Sequence, residues 1–148
     1  MGKERIYASI DRSQFYADQS VYVVIPNEAS EQLNYLFGVL ASRLMNFYFQ
    51  STMADRKETF PKIKGAQIKQ LPIHLVDFHD DAEKLNHNNL VSLVTQMLSL
   101  HKELSEAKTP QDKNFLQRQI EQTDRKIDQL VYELYGLSQE EIAIVEGG

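Results

Sequence analysis

The chain has 148 residues, of which 42% are hydrophobic and 25% are charged, and its formal net charge is −5. These values are typical of a globular protein with one ordinary core, or with a small core and an appended helical unit. The chain has no cysteine, which excludes disulfides and thiolate metal sites. No stretch has the apolar length of a membrane span, so we expect a cytoplasmic protein without a membrane partner. Gly2 directly after Met1, ahead of a strand-like segment, suggests a piece of a longer protein.

The first part of the chain predicts a small sheet covered by a helix. Residues 5–10 and 20–26 are typical of strands, and apolar side chains on both faces of the second strand favour burial on both sides. Asn27 or Ser30 can cap a helix over residues 30–49, which we expect to pack on the sheet. Apolar residues recur along this helix at helical spacing: Leu33, Leu36, Phe37, Leu40, Leu44, Phe47 and Tyr48.

A polar loop follows over residues 51–65 and lies in a locally basic part of the chain. Between residues 51 and 70 five basic residues stand against two acidic ones, a local charge of +3, whereas residues 71–106 carry two lysines against six acidic residues, or −4. Arginine and lysine reach phosphate oxygens or the acceptor edge of guanine, and hydroxyls bond to either, so any anionic partner should meet the chain here. A solvated surface loop is the alternative on composition alone. The candidate DNA-binding residues are Ser51, Thr52, Arg56, Lys57, Lys62, Lys64 and Lys69.

Two heptad-spaced segments in the last part of the chain predict an antiparallel helical hairpin over residues 84–136. Thr109 can cap the second helix, with Pro110 at its first position and Asp112 reaching back. The facing apolar positions form a helical docking seam: Leu90, Val94, Met97, Leu104, Leu116, Ile120, Ile127, Leu130 and Leu134. The polar seam members His101 and Thr123 can fix the register of the pair.

The end of the chain predicts a short folded-back helix. Gly136 is placed to close the second long helix, and Ser138 with Glu141 forms a capping-box pattern for a final helix through Val145. Tyr135, one residue before the glycine, is expected to be a packing residue.

No residue pattern in the chain indicates a catalytic or metal centre. Six glycines are present, and none lies in the glycine-rich turn that a phosphate or cofactor requires. The four histidines are scattered without ligand spacing, and no serine stands in a nucleophile elbow. We therefore predict no catalytic residue, no metal ligand and no cofactor site, and expect the chain to be inactive as an enzyme by itself.

Three stretches together resemble the C-terminal specificity region of type IIG restriction-modification enzymes, an architecture shared with type I specificity subunits. They are residues 36–49, 60–73 and 127–142. The resemblance implies that residues 1–77 are part of a target-recognition domain and that residues 78–148 are a helical spacer packing against the methyltransferase part of the same parent protein. That parent would be a DNA adenine methyltransferase using S-adenosylmethionine, with possible Mg-dependent cleavage. The family's helix often carries Asn-Ser where this chain has Ala41-Ser42.

The sequence thus predicts an α+β fold, with a small sheet and its packed helix followed by the long antiparallel hairpin. The predicted function is sequence-specific recognition of duplex DNA, with Arg56 and Lys57 nearest base edges and Lys62, Lys64 and Lys69 nearer phosphates. The alternative is a protein-interaction module in which the hairpin docks a partner without any DNA contact. Salt dependence separates the two, because DNA binding weakens steeply as salt rises and apolar docking does not.

Overall fold

The computed structural model describes residues 6–13, 16–17, 21–25, 30–53 and 63–147. The backbone in these ranges forms helices connected by turns and extended segments, with no strand among them. The helices are α1 Ser30–Ala41, α2 Arg43–Thr52, α3 Gly65–Ile68, α4 Asp81–Glu106, α5 Pro110–Leu134 and α6 Gln139–Gly147.

The predicted α+β fold with a small sheet is wrong for the described residues. Residues 6–10 and 21–25, the described parts of the two predicted strands, pair with no other described segment in a ladder. A strand is stable only when a neighbouring backbone takes up its amide and carbonyl groups. The side chains of Val21 to Ile25, predicted to be buried on both faces, are instead 50–80% exposed. The alternating pattern and the β-branched residues therefore led to a wrong prediction of a buried strand at residues 21–25.

The predicted helix over residues 30–49 is divided into two helices at Ser42. The Ser42 hydroxyl donates to the Val39 carbonyl oxygen at 2.7 Å, and its oxygen accepts from the Met45 amide at 3.2 Å. Ser42 has extended backbone angles, which place it as the N-cap of α2. A serine side chain competes in this way with the helical backbone for hydrogen bonds, so it ends α1 and begins α2.

Helix α1 packs on α4 rather than on a sheet, and Gly38 lies in close contact with α4. A Cβ atom at Gly38 would lie 2.9 Å from Val94 Cγ2 and 3.0 Å from Leu90 Cδ1. Leu90, Val94 and Val39 are fully buried in the core. The absence of a side chain at one helical position thus brings the first half of the chain directly onto the second half.

Helices α4 and α5 are the two long helices that the heptad spacing predicted. Each begins with a capped N-terminus: the Asp80 carboxylate accepts from the amides of Ala82 and Glu83, and Thr109 Oγ1 accepts from the Asp112 amide at 3.1 Å. Only residues 107–109 connect the two helices, and they pack against each other. At 1.5 Å per residue each helix is roughly 37 Å long.

The core between α4 and α5 is built from the predicted apolar seam. Seven of its nine residues are buried, and the other two, Leu104 and Leu130, are partly buried. Thr123 is also buried, and its hydroxyl donates to the Gln119 carbonyl oxygen at 2.8 Å. His101 is exposed, and Leu100 beside it is buried in its place.

The chain turns back after α5 through Gly136, whose φ of 64° lies in the left-handed region that favours glycine. The Leu137 amide donates to the Tyr132 carbonyl oxygen at 3.0 Å, which closes the helix end. Ser138 and Glu141 cap α6 reciprocally, with the Ser138 amide donating to Glu141 Oε2 at 2.8 Å. The predicted final helix is therefore confirmed, and α6 contacts α2 with Val145 buried.

Candidate nucleic-acid interface

The described part of the predicted DNA-binding set comes from two short pieces of chain. Ser51 and Thr52 form the last turn of α2, and Lys64 and Lys69 stand at the two ends of α3. All four side chains are exposed. The other three members, Arg56, Lys57 and Lys62, lie outside the described residues.

Gln67 joins these two pieces with a single side-chain amide. Its Oε1 accepts a hydrogen bond from the Lys64 amide at 2.7 Å, and its Nε2 donates to the Met53 carbonyl oxygen at 2.8 Å. Met53 is the C-cap of α2 and Lys64 is the N-cap of α3. The end of α2 and the start of α3 therefore lie side by side, which brings the hydroxyls of Ser51 and Thr52 and the two lysines into one region.

The charges and hydroxyls of this region are available to an anionic partner to different degrees. Neither Lys64 nor Lys69 forms an ion pair with a carboxylate in the part of the chain that the structure describes. The Thr52 hydroxyl donates to the Tyr48 carbonyl oxygen at 2.7 Å, so its proton is engaged within α2. Its oxygen retains acceptor capacity. The lysines are accordingly the groups best suited to phosphate.

Tyr22 brings the exposed extended segment against this region. A Cβ atom at Gly65 would lie 3.2 Å from Tyr22 Cε1, so the tyrosine ring packs over the first residue of α3. Tyr22 is still 58% exposed. An exposed aromatic ring beside exposed lysines is a combination that can contact both the sugar and the phosphate of a nucleic acid.

The N-terminal segment is held to the break between α1 and α2 by Asn46. Its Oδ1 accepts from the Ile6 amide at 2.7 Å, and its Nδ2 donates to the Ser42 carbonyl oxygen at 2.8 Å. Asn46 is buried, so each of these bonds satisfies a group that is shielded from water. Sequence reasoning missed Asn46, because an asparagine within an apolar helical pattern carries no signal of a contact forty residues away.

Two tyrosine hydroxyls hold the segment that follows α3, one from α1 and one from the C-terminal end of α5. Tyr135 donates to the Pro72 carbonyl oxygen at 2.7 Å and accepts from the His74 amide at 3.0 Å. Tyr35 donates to the His74 carbonyl oxygen at 2.9 Å. Burial raises the pKa of both tyrosines, so both remain protonated donors. Tyr135, predicted to be a packing residue, is thus also a hydrogen-bonding anchor.

His74 and Glu83 add a polar contact at the same place. His74 Nε2 lies 3.2 Å from Glu83 Oε2, and the same carboxylate oxygen accepts from the Asp77 amide at 2.8 Å. Glu83 lies in the first turn of α4. The segment over residues 72–77 is therefore held from α1, α4 and α5 at once, which determines how the region around α3 sits relative to the long helices.

Asp128 of α5 holds the beginning of α2. Its Oδ1 accepts from the Arg43 amide at 2.8 Å, at the helix end where backbone amides have no partner within the helix. Burial raises the pKa of Asp128 to about 6, against the lowering effect of that hydrogen bond. The carboxyl group is therefore a pH-sensitive contact between the two halves of the chain.

The described ranges contain no group of three or more histidine, aspartate or glutamate side chains arranged to hold a metal ion. None of the helices within them combines the length and apolar character that crossing a bilayer requires.

Comparison with known proteins identifies the first half of the chain. Residues 1–73 match the family model of the TaqI-like C-terminal specificity domain. This match confirms the resemblance to a type IIG restriction-modification specificity region, and it contains two of the three stretches on which the resemblance was based. No curated protein and no solved structure matches the chain.

Proposed function

Because residues 1–73 belong to the TaqI-like C-terminal specificity domain family, we propose that this chain recognises a specific sequence of duplex DNA as the specificity part of a restriction-modification enzyme. The family match is the observation that carries the proposal. A specificity domain selects the target and does not itself catalyse a reaction. Methylation of adenine with S-adenosylmethionine, and any Mg-dependent cleavage, would belong to other parts of the parent protein.

The DNA-facing surface in this proposal is the region where the end of α2 meets α3. The exposed hydroxyls of Ser51 and Thr52 support it, and so do Lys64 and Lys69, which form no ion pair with any described carboxylate. Lysines of this kind neutralise phosphates and supply affinity, whereas discrimination needs groups that reach base edges. Arg56 and Lys57 are proposed for the base edges, and Lys62, Lys64 and Lys69 for phosphates.

The long helices are proposed to hold the specificity domain against the methyltransferase part of the parent. Most of their predicted docking seam is buried between them or under α1, so a partner would have to contact outward-facing positions. Phe115 near the α4–α5 connection is 62% exposed, and Leu85 near the start of α4 is 59% exposed. The same exposed residues favour the second candidate function, a protein-interaction module without DNA contact. The division near residue 77 stays a prediction.

Selection of duplexes from a random pool by the purified chain tests the proposal. We expect enrichment of one short motif. An Arg56→Ala and Lys57→Ala variant should blur that motif, and loss of one base contact should cost about 1 to 3 kcal/mol of discrimination. Absence of any enriched motif, together with partner binding that does not respond to salt, would favour the interaction module.

A phosphate role for Lys64 and Lys69 predicts a different response. The Lys64→Ala and Lys69→Ala double variant should bind the selected duplex and a scrambled duplex more weakly by the same factor. The slope of log K against log salt should fall by roughly 2, since each phosphate contact contributes about 0.9. The matched control is Lys113→Ala with Lys126→Ala, two exposed lysines on α5. An equal loss in the control would mean that only net charge matters.

A further inference from the structure

We infer that Gln67 is a positioning residue for DNA recognition: its side-chain amide sets the distance between the hydroxyls at the end of α2 and the lysines of α3. The inference rests on the proposed function and deepens it. It names a residue that need not contact DNA and on which sequence discrimination nevertheless depends.

The geometry uses both ends of one amide. Gln67 Oε1 accepts from the Lys64 amide at 2.7 Å and Nε2 donates to the Met53 carbonyl oxygen at 2.8 Å. The first bond is local to α3 and keeps the glutamine side chain folded back over the helix start. The second crosses to the end of α2, fourteen residues earlier in the chain. The bond to Met53 is partly buried, which limits competition from water for it, whereas the bond from Lys64 is exposed.

The side-chain amide of Gln67 suits both of its partners. It supplies an acceptor to the Lys64 amide and a donor to the Met53 carbonyl, and a carboxamide carries one of each. A glutamate keeps the acceptor for Lys64 and turns a carboxylate oxygen toward the Met53 carbonyl, which repels it. A methionine of similar length supplies neither bond. The two substitutions therefore both break the link to α2, and only glutamate retains the bond to Lys64.

Loss of the link should affect discrimination more than affinity. Long lysine side chains can follow a phosphate through a displacement of an ångström or more, because their contact is a point charge with three rotatable donors. Contacts to base edges require placement to within about 0.5 Å. Loss of the Gln67 bond removes a direct hydrogen bond between the end of α2 and α3. The distance between the hydroxyls of Ser51 and Thr52 and the lysines of α3 is then no longer fixed by this bond.

The test uses the whole 148-residue chain and the motif selected from the random pool. Gln67→Met and Gln67→Glu are compared with wild type and with Gln70→Glu. Gln70 is exposed in the turn directly after α3, so its substitution adds the same negative charge without touching Met53. Dissociation constants are measured for the selected and a scrambled duplex over a range of salt concentrations, and each variant is checked for its melting temperature.

We expect the ratio of the two dissociation constants to fall by roughly tenfold in both Gln67 variants, the size of one lost base contact. The salt slope should stay unchanged, and Gln70→Glu should keep the wild-type ratio. Gln67 variants that keep the ratio would overturn the inference, and so would equal weakening on both duplexes with a lowered melting temperature, which is a merely structural effect. If wild type itself has no preferred duplex, the proposed function fails and the inference falls with it.

Discussion

The two halves of this chain are stabilised in different ways. In the described part of residues 1–73, residues 21–25 are exposed, Asn46 holds the backbone at Ile6, and Gln67 joins α2 to α3. In the helical half, two long helices bury a continuous apolar seam, and Leu90, Val94 and Val131 are fully buried. This difference indicates that residues 1–73, the recognition half, depend for their position on the second half, the helical half built on α4 and α5. The contacts run through Gly38, Asp128 and Tyr135.

Leu90→Ala should have the largest effect, because Leu90 is buried at the junction of α1 and α4. We expect the free energy of unfolding to fall by about 2 to 5 kcal/mol, the range for truncating a buried leucine. If the halves are one cooperative unit, a single urea transition should shift as a whole. Leu85→Ala, on the exposed side of the same helix, should change it by less than about 0.5 kcal/mol. Two separate transitions in wild type would contradict the dependence of one half on the other.

Tyr135→Phe should have the next largest effect, since it removes only the polar fastening. The Pro72 carbonyl loses a donor and the His74 amide loses its acceptor, which should cost about 1 to 2 kcal/mol. Hydrogen exchange at the His74 amide should accelerate more than exchange within α4 or α5. Tyr16→Phe is the control, because that side chain is fully exposed. Unchanged exchange at His74 would mean that α1 and α4 hold this segment without Tyr135.

Asp128→Asn should have the smallest effect, and it depends on pH. The folded-state pKa of about 6 lies above the ordinary value of 3.8. Between pH 3.8 and pH 6 the folded protein therefore binds more of this proton than the unfolded chain does. Stability from this group is therefore greatest at low pH and is lost as pH rises through about 6. Asparagine should flatten that slope and leave stability at pH 7 equal or higher by about 1 kcal/mol, because its oxygen still accepts from Arg43.

The control for this pH effect is Glu121→Gln, an exposed change of the same charge on the same helix. Urea unfolding of both variants and wild type from pH 4.5 to 7.5 measures the slopes. A wild-type slope that Asp128→Asn leaves intact would assign the pH dependence to another group.

The helical half was predictable because its signals are local. Thr109, Gly136 and Ser138 act within a few residues of their own positions, and the heptad spacing needs only a partner with the same spacing. His101 shows the limit of that reasoning, since the pattern placed it in the seam and the packing buries Leu100 instead. Helix rotation by a fraction of a turn is decided by the neighbour and not by the spacing alone.

The recognition half was less predictable because its contacts are distant in sequence. The predicted strands depended on alternation, which cannot supply the neighbouring backbone that a sheet needs. Among the predicted DNA-binding residues, Lys64 and Lys69 were nominated from local charge, and their contact with DNA stays a prediction. Local charge gives no signal for Gln67, whose hydrogen bond to Met53 joins two separate helices.

The amino-acid sequence by itself determined the long helices, their caps, the place of the turn at Gly136 and the family of the first 73 residues. These features depend on hydrogen bonds and side-chain spacing within a few residues, or on a sequence pattern that can be matched directly. Only the tertiary structure decided that α1 ends at Ser42, that Gly38 lies against Leu90 and Val94, and that Gln67 joins α2 to α3. These features depend on which groups meet when the chain is folded. A hydrogen bond between residues far apart in the chain leaves no periodic pattern in the sequence from which it could be predicted.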